Sequence, residues 1–312
     1  MQYFLLIFAT ALAPIFWGST YYVTTEFMPN GYPVTIAMWR ALLGGLLLLA
    51  LVRQLPPRDW LLKILTLGAL NFTIFWALLF VSAYRLPGGV AATVGAIQPL
   101  FVLFLAKTFL GHPINTKAIL IALCGILGVA ILLLNAQAKL DMIGVIAGVG
   151  GALSMAFGVV LTRKWKPQVS LMTFTAWQLS AGGLLLVPLA LMMEPSLPAL
   201  SSENVAGLLY LGLIGGAMTY LLWFNGLDKL APASVSLLGF LSPVTAVLLG
   251  WVILNQHLTS VQLAGAALTL ASVWFGQIKP PQKNALAAEE SPSQPHTAFQ
   301  PQCPPLAEEN CK

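Results

Sequence analysis

Arg40 stands in Trp39-Arg40-Ala41-Leu42, inside an apolar segment that runs over 34–53. A guanidinium keeps its charge at any physiological pH and offers five N–H donors in a rigid fork. Among apolar residues it costs a few kcal/mol or more unless it reaches an interface or is satisfied internally. Two chemistries follow from that position. Arg40 can anchor an anion or carboxylate in a water-filled cavity, or it can tie helices together through backbone carbonyls. The sequence leaves both open.

Polar and aromatic residues in other apolar segments complete a candidate substrate site. Trp17 and Tyr21 lie in the first segment, Asn71 in the third and Gln98 in the fourth. Trp177 and Gln178 are adjacent in the seventh, Tyr220 is in the eighth and Ser242 in the ninth. Rings of this kind grip a solute by stacking, and a few amides and hydroxyls fix its orientation. Asn71, Gln98 and Gln178 are the hardest to place against lipid, because an amide prefers a hydrogen-bonding partner. Tyr3, Trp39 and Trp60 read instead as an interfacial aromatic belt.

The chemistries that are absent narrow the function. Every Asp and Glu falls at a segment end, in a loop or near the C-terminus, so no carboxylate is set up as an intramembrane proton carrier. HExxH, GxSxG and GxxxxGK[ST] are missing. His112 and His257 sit in loops without metal-ligand neighbours. No catalytic residue, metal ligand or cofactor is expected. Three cysteines give no disulfide framework; Cys124 reads as a small buried residue, and Cys303 and Cys311 lie near the C-terminus.

The elements that must position these groups are membrane helices. Of 312 residues, 58% are hydrophobic and 8% charged, whereas soluble domains carry about 25% charge. Ten apolar segments of spanning length are expected, near 4–25, 34–53, 61–83, 88–109, 117–134, 142–163, 170–192, 204–226, 232–254 and 260–277. With the N-terminus in the cytoplasm, eleven basic residues fall on the cytoplasmic side, including Arg53, Arg58, Lys117, Arg163 and Lys229. Arg85 and Lys139 alone fall opposite, a strong positive-inside bias. Residues 279–312 are rich in proline and glutamate and read as a disordered cytoplasmic tail.

The segments repeat. Arg85-Leu86, Gly95 and Pro99 match Lys229-Leu230, Gly239 and Pro243 at a constant separation of 144 residues. Trp39, Gly44 and Gly45 match Trp177, Gly182 and Gly183 at a separation of 138. Two five-helix repeats, 1–137 and 138–278, are expected, and an odd helix number inserts the second upside down. The fold class is therefore an all-α polytopic membrane protein. Pro99 and Pro243 interrupt equivalent helices and are the candidate hinges. Gly144, Gly148, Ala152 and Ala156 form a small-residue packing face.

The runs Ala13-Pro14-Ile15-Phe16-Trp17-Gly18-Ser19, Tyr220-Leu221-Leu222-Trp223 and Leu241-Ser242-Pro243 resemble the EamA family of the drug/metabolite transporter superfamily, over about residues 4–277. Tyr84-Arg85-Leu86-Pro87-Gly88-Gly89 and Thr173-Phe174-Thr175-Ala176-Trp177-Gln178 are most similar to its PecM-like exporters. The resemblance implies ten helices in an inverted-repeat basket and export of amino acids, pigment-like aromatics or other metabolites from a bacterium. The chain departs from the family where Gly-Glu-x-Leu is frequent, with His112 and Gln256 at the glutamate positions. A secondary exporter in the bacterial inner membrane, with both termini cytoplasmic, is the leading expectation. A channel or sensor, and an intramembrane enzyme, are the alternatives. The partners expected are the lipid bilayer and a small-molecule substrate, with no nucleic acid; a homodimer is left open.

Overall fold

The structure is a computed structural model that describes residues 2–86, 88–134, 141–255 and 257–278. Lys139, Gln256 and the tail expected over 279–312 lie outside the described residues. Among the described residues the secondary structure is helical, as lipid demands: a span must satisfy its own backbone N–H and C=O groups. Among the described residues nine helices are long and apolar enough to cross a membrane. They are α1 (Gln2–Phe27), α2 (Pro33–Val52), α3 (Arg58–Arg85), α4 (Val90–Leu110), α5 (Thr116–Leu133), α6 (Met142–Lys164), α7 (Leu171–Met193), α8 (Ser202–Lys229) and α9 (Pro232–Leu254). A tenth, α10 (Ser260–Gln277), has spanning length but is more polar, with Gln262, Thr269, Ser272 and Gln277 along it.

Local signals set the ends. Asn115, Asp141 and Ser170 each accept a backbone N–H from the first turn of the helix they precede. Ser201 and Asn204 form a reciprocal capping box at α8. Arg53, Gly111 and Asn255 close α2, α4 and α9 in the left-handed conformation. The start of α2 is capped from a distance. Glu194, at the end of α7, accepts the N–H groups of Val34 at 2.6 Å and Thr35 at 2.7 Å. A carboxylate there complements the positive end of the helix dipole.

Two irregularities recur in both halves. α4 breaks at 96–97, before Gln98 and Pro99, and α9 breaks at 239–240, before Ser242 and Pro243. Each proline thus sits in the first turn of a restarted helix, where its missing N–H is not needed. α3 widens into a π-helical turn over Ala69–Thr73, and α8 does so over Tyr210–Met218. Moved along by 144 residues, the first of these falls inside the second.

Equivalent helices of the two halves also meet each other. α2 crosses α7 antiparallel: Thr35 lies against Glu194, Leu42 against Gly183 and Gly45 against Ser180. α5 crosses α10 in the same sense, with Ser272 donating to the Ile121 carbonyl and Gly265 against Leu132. Small residues permit these approaches. A Cβ on Gly45 would stand 2.5 Å from the backbone nitrogen of Ser180, and one on Gly265 2.5 Å from that of Leu132. The stripe of Gly144 and Gly148 packs α6 against the end of α3, near Leu86 and Ser82. Cys124 corrects one expectation: it is exposed on α5. The buried stripe of that helix, Ala122, Gly125, Gly128 and Leu132, faces inward. Cys124 falls off it, and lipid solvates a small thiol that water would drive inside.

Gly45→Leu should abolish the α2–α7 crossing, because the backbone of α7 cannot retreat as a side-chain tip could. Expected is a loss of monodisperse protein in detergent extracts. Gly95→Ala, where a Cβ meets nothing within 4 Å, should keep or raise the unfolding temperature.

Candidate substrate cavity

A cavity of about 380 Å³ lies among α1, α2, α3, α4, α6, α8 and α9. It begins at helix ends marked by Thr25, Pro33 and Ala91 and stops inside the protein at Trp17, Trp223 and Phe240. The breaks in α4 and α9 shape one wall, since Gln98, Pro99, Gly239, Ser242 and Pro243 all line it. The floor is a ring cluster. Trp17 lies 5.0 Å from Tyr220 and 5.1 Å from Trp223 between centroids, and Phe72 lies 4.8 Å from Tyr220. Trp17 is fixed by its indole N–H, which donates to Thr219 Oγ1 at 2.9 Å.

Arg40 lies on the cavity wall and also ties two helices together. Its Nε and Nη2 donate to the Gly215 carbonyl at 3.2 and 2.8 Å. That carbonyl is available because of the π-helical turn in α8: the N–H of Thr219 bonds to Ile214 and Gly216 instead. The Thr219 hydroxyl adds a third donor to the same oxygen at 2.7 Å. Trp76 covers one face of the guanidinium, its ring centroid 5.3 Å from Cζ. No carboxylate of the described residues pairs with Arg40. Part of the fork is therefore spent on structure, and the charge is unbalanced at the cavity wall.

Six of the nine candidate site residues meet at this cavity: Trp17, Tyr21, Arg40, Gln98, Tyr220 and Ser242. Tyr21 is 56% exposed and stands in its mouth, whereas Tyr220 is 2% exposed in its floor. The other three lie elsewhere. Asn71 and Gln178 are fully buried and spend their amides on each other, Nδ2 of Asn71 donating to Oε1 of Gln178 at 3.0 Å and to Thr162 at 3.1 Å. Thr162 in turn donates to Gln178 at 3.1 Å. Trp177 is buried in a separate cluster and donates to the Gln54 carbonyl at 2.6 Å. An apolar interior drives buried amides to find one another, and a sequence does not say which pairs will meet.

Outside the nine candidates, Trp76, Trp223 and Gly215 also shape the site. Trp223 follows Tyr220 by three residues on one helix face, a spacing that could have been used. Nothing in the sequence marks Gly215, whose part is played by its backbone. Two wall residues carry buried nitrogens without a partner, Trp223 Nε1 and Gln98 Nε2. Each such group costs about 1–3 kcal/mol when left dry. The Asn71–Gln178 pair makes its own prediction. Gln178→Leu should destabilise the protein by about 1–3 kcal/mol, because Asn71 loses its acceptor, and the double replacement by Leu should cost less than the sum of the single ones. Thermal unfolding of the four proteins measures this.

The EamA-like transporter family matches residues 4–134 and again 142–275. Protein PecM of Dickeya dadantii (strain 3937) is 43% identical over 263 residues, 84% of this chain and 88% of PecM. The uncharacterized inner membrane transporter YedA of Escherichia coli (strain K12) is 30% identical over 259 residues, 80% of this chain and 82% of YedA. A solved crystal structure, 18% identical, has the same fold at a TM-score of 0.74, over 87% of this chain and 96% of the other. The pair of matches over nearly all described helices, and the extent of the identity to PecM, make this multi-pass membrane protein a member of the EamA-like transporter family.

Proposed function

We propose that the chain is a secondary transporter that exports small organic solutes across the bacterial inner membrane by alternating access, through two inverted five-helix repeats, 1–137 and 138–278. The observation that carries this reading is the antiparallel crossing of equivalent helices, α2 with α7 and α5 with α10. A helix meets its own copy antiparallel across the membrane normal when the copies are inverted, as in many alternating-access carriers. The separate family match to each half supports the duplication.

The two ends of the molecule support the second part of the reading. A shift of 138 residues takes Arg40 to Gln178 and Thr24 to Thr162, and a shift of 144 takes Asn71 to Gly215. Beside the Arg40–Gly215 contact a cavity opens, and Thr24 faces it. Around Gln178 and Asn71 the same three-helix crossing is shut, with Thr162 bonded to Gln178. Beyond it, near the cytoplasmic end expected for α6 and α8, Asp228 holds both Arg163 and Lys166. One end open and its counterpart closed is one state of a rocking cycle, here the state open away from the cytoplasm. Pro99 and Pro243, at the paired helix breaks, are where the half-helices would pivot.

Orientation is tested with reporters fused after Ile278. A cytoplasmic reporter should be active there; activity of one that works only after export overturns the topology. Transport is tested by comparing metabolites in the medium of cells with and without the chain, then loading the enriched compound into liposomes that hold the purified protein. Protein-dependent efflux down the compound's own gradient is expected. Equal media, or flux that appears only with an imposed proton gradient and stops with a protonophore, would count against uncoupled export.

A further inference from the structure

We infer that the solute held in this cavity is an aromatic monocarboxylate, an organic acid without a compensating ammonium group; the inference rests on the transporter reading above and names its substrate class. Arg40 supplies the first ground. Its positive charge stands at the wall of an otherwise apolar and aromatic cavity, and no carboxylate of the described residues is paired with it. Gly215 satisfies two of its N–H groups but is neutral. An anion supplies both the missing charge and the acceptors, and a carboxylate matches the guanidinium fork.

The other wall groups point the same way. Trp223, 2% exposed, and Gln98 bring N–H groups that have no acceptor within the protein. Both nitrogens are covered by neighbouring atoms, so they add uncompensated positive polarity to this wall without themselves touching the solute. Among the described residues no Asp or Glu lines the cavity, so the ammonium of an amino acid or a cationic drug would meet Arg40 with no counter-charge. Arg40 is also the one Lys or Arg among the lining residues. It balances a single negative charge, and a phosphate monoester, carrying ≈ −1.5 to −2 at neutral pH, would be only partly balanced. The rest of the volume is walled by Trp17, Phe75, Trp76, Tyr220 and Phe240, which suits a flat ring system.

The test uses purified protein in lipid nanodiscs, with empty nanodiscs as reference, and four probes of nearly equal shape. These are 2-naphthoate, 2-naphthamide, 2-naphthylmethylammonium and the zwitterion tryptophan. Titration calorimetry should show naphthoate binding about tenfold or more tightly than the other three, the scale of charge-assisted hydrogen bonds. Arg40→Lys should keep part of that preference, and Arg40→Gln should erase it at an unchanged helical circular dichroism signal. The comparison among probes needs only the unaltered protein, so it stands even where a variant fails to fold. Naphthamide, the amine or tryptophan binding as tightly as naphthoate overturns the proposal, and so does absence of naphthoate binding. Liposome flux separates this from the transporter reading. Flux of the amide or amine without flux of naphthoate overturns the anion site and leaves a transporter. Arg40-dependent naphthoate binding with no flux of any probe upholds the anion site and overturns transport.

Discussion

A full positive charge inside a membrane helix has to be held, and the hold on Arg40 governs the surrounding architecture. Its partner is a backbone carbonyl that an ordinary α-helix would have consumed. The π-helical turn of α8 releases the Gly215 oxygen from the i→i+4 ladder, and Arg40 and Thr219 take it up. The same stretch carries Gly212, Gly215 and Gly216. Side chains at Gly212 and Gly216 would collide with Leu43 and with the backbone of α2 at Arg40. Helix irregularity, glycine content and the α2–α8 approach are thus one solution to one electrostatic demand.

Duplication makes the demand visible, because the other half has the same geometry without the charge. Gln178 takes the place of Arg40, and Asn71, inside the π-helical turn of α3, that of Gly215. Neutral amides can bond one another in a dry interior at the cost of the unpartnered Asn71 Oδ1 and Gln178 Nε2, a smaller cost than a bare charge, so that side closes to a packed core. A guanidinium has no such self-complement, and its side keeps a cavity. The two corresponding crossings differ accordingly: one is packed shut, and the other borders a cavity.

The charge also bears on how the proposed export would be driven. Helix interiors lack a carboxylate to carry a proton. Moving one elementary charge across a membrane is worth about 2.3 kcal/mol per 100 mV. An inside-negative potential therefore pushes a monoanion outward without a coupled ion. An exporter of organic acids can work with the few ionisable groups this chain has.

Composition and pattern alone determined much of this protein. Apolar runs of spanning length located the helices to within a few residues, since lipid leaves the backbone no choice but the helix. The paired Gln98-Pro99 and Ser242-Pro243 runs marked equivalent places in the two halves, and both turned out to be helix breaks at the cavity wall. Arg40 was legible as a special residue because a charge in an apolar run is conspicuous on any scale. Tertiary structure decided the rest. Asn71, Trp177 and Gln178 have the residue types of a binding site, yet packing spent them on Thr162, on Gln54 and on each other. Gly215 has no side chain to announce it and contributes the carbonyl that holds the charge. Cys124 was assigned to the interior by size, and helix rotation turned it outward. Sequence periodicity states what a residue prefers; which neighbour satisfies that preference is settled only when helices far apart in the chain come within hydrogen-bonding distance.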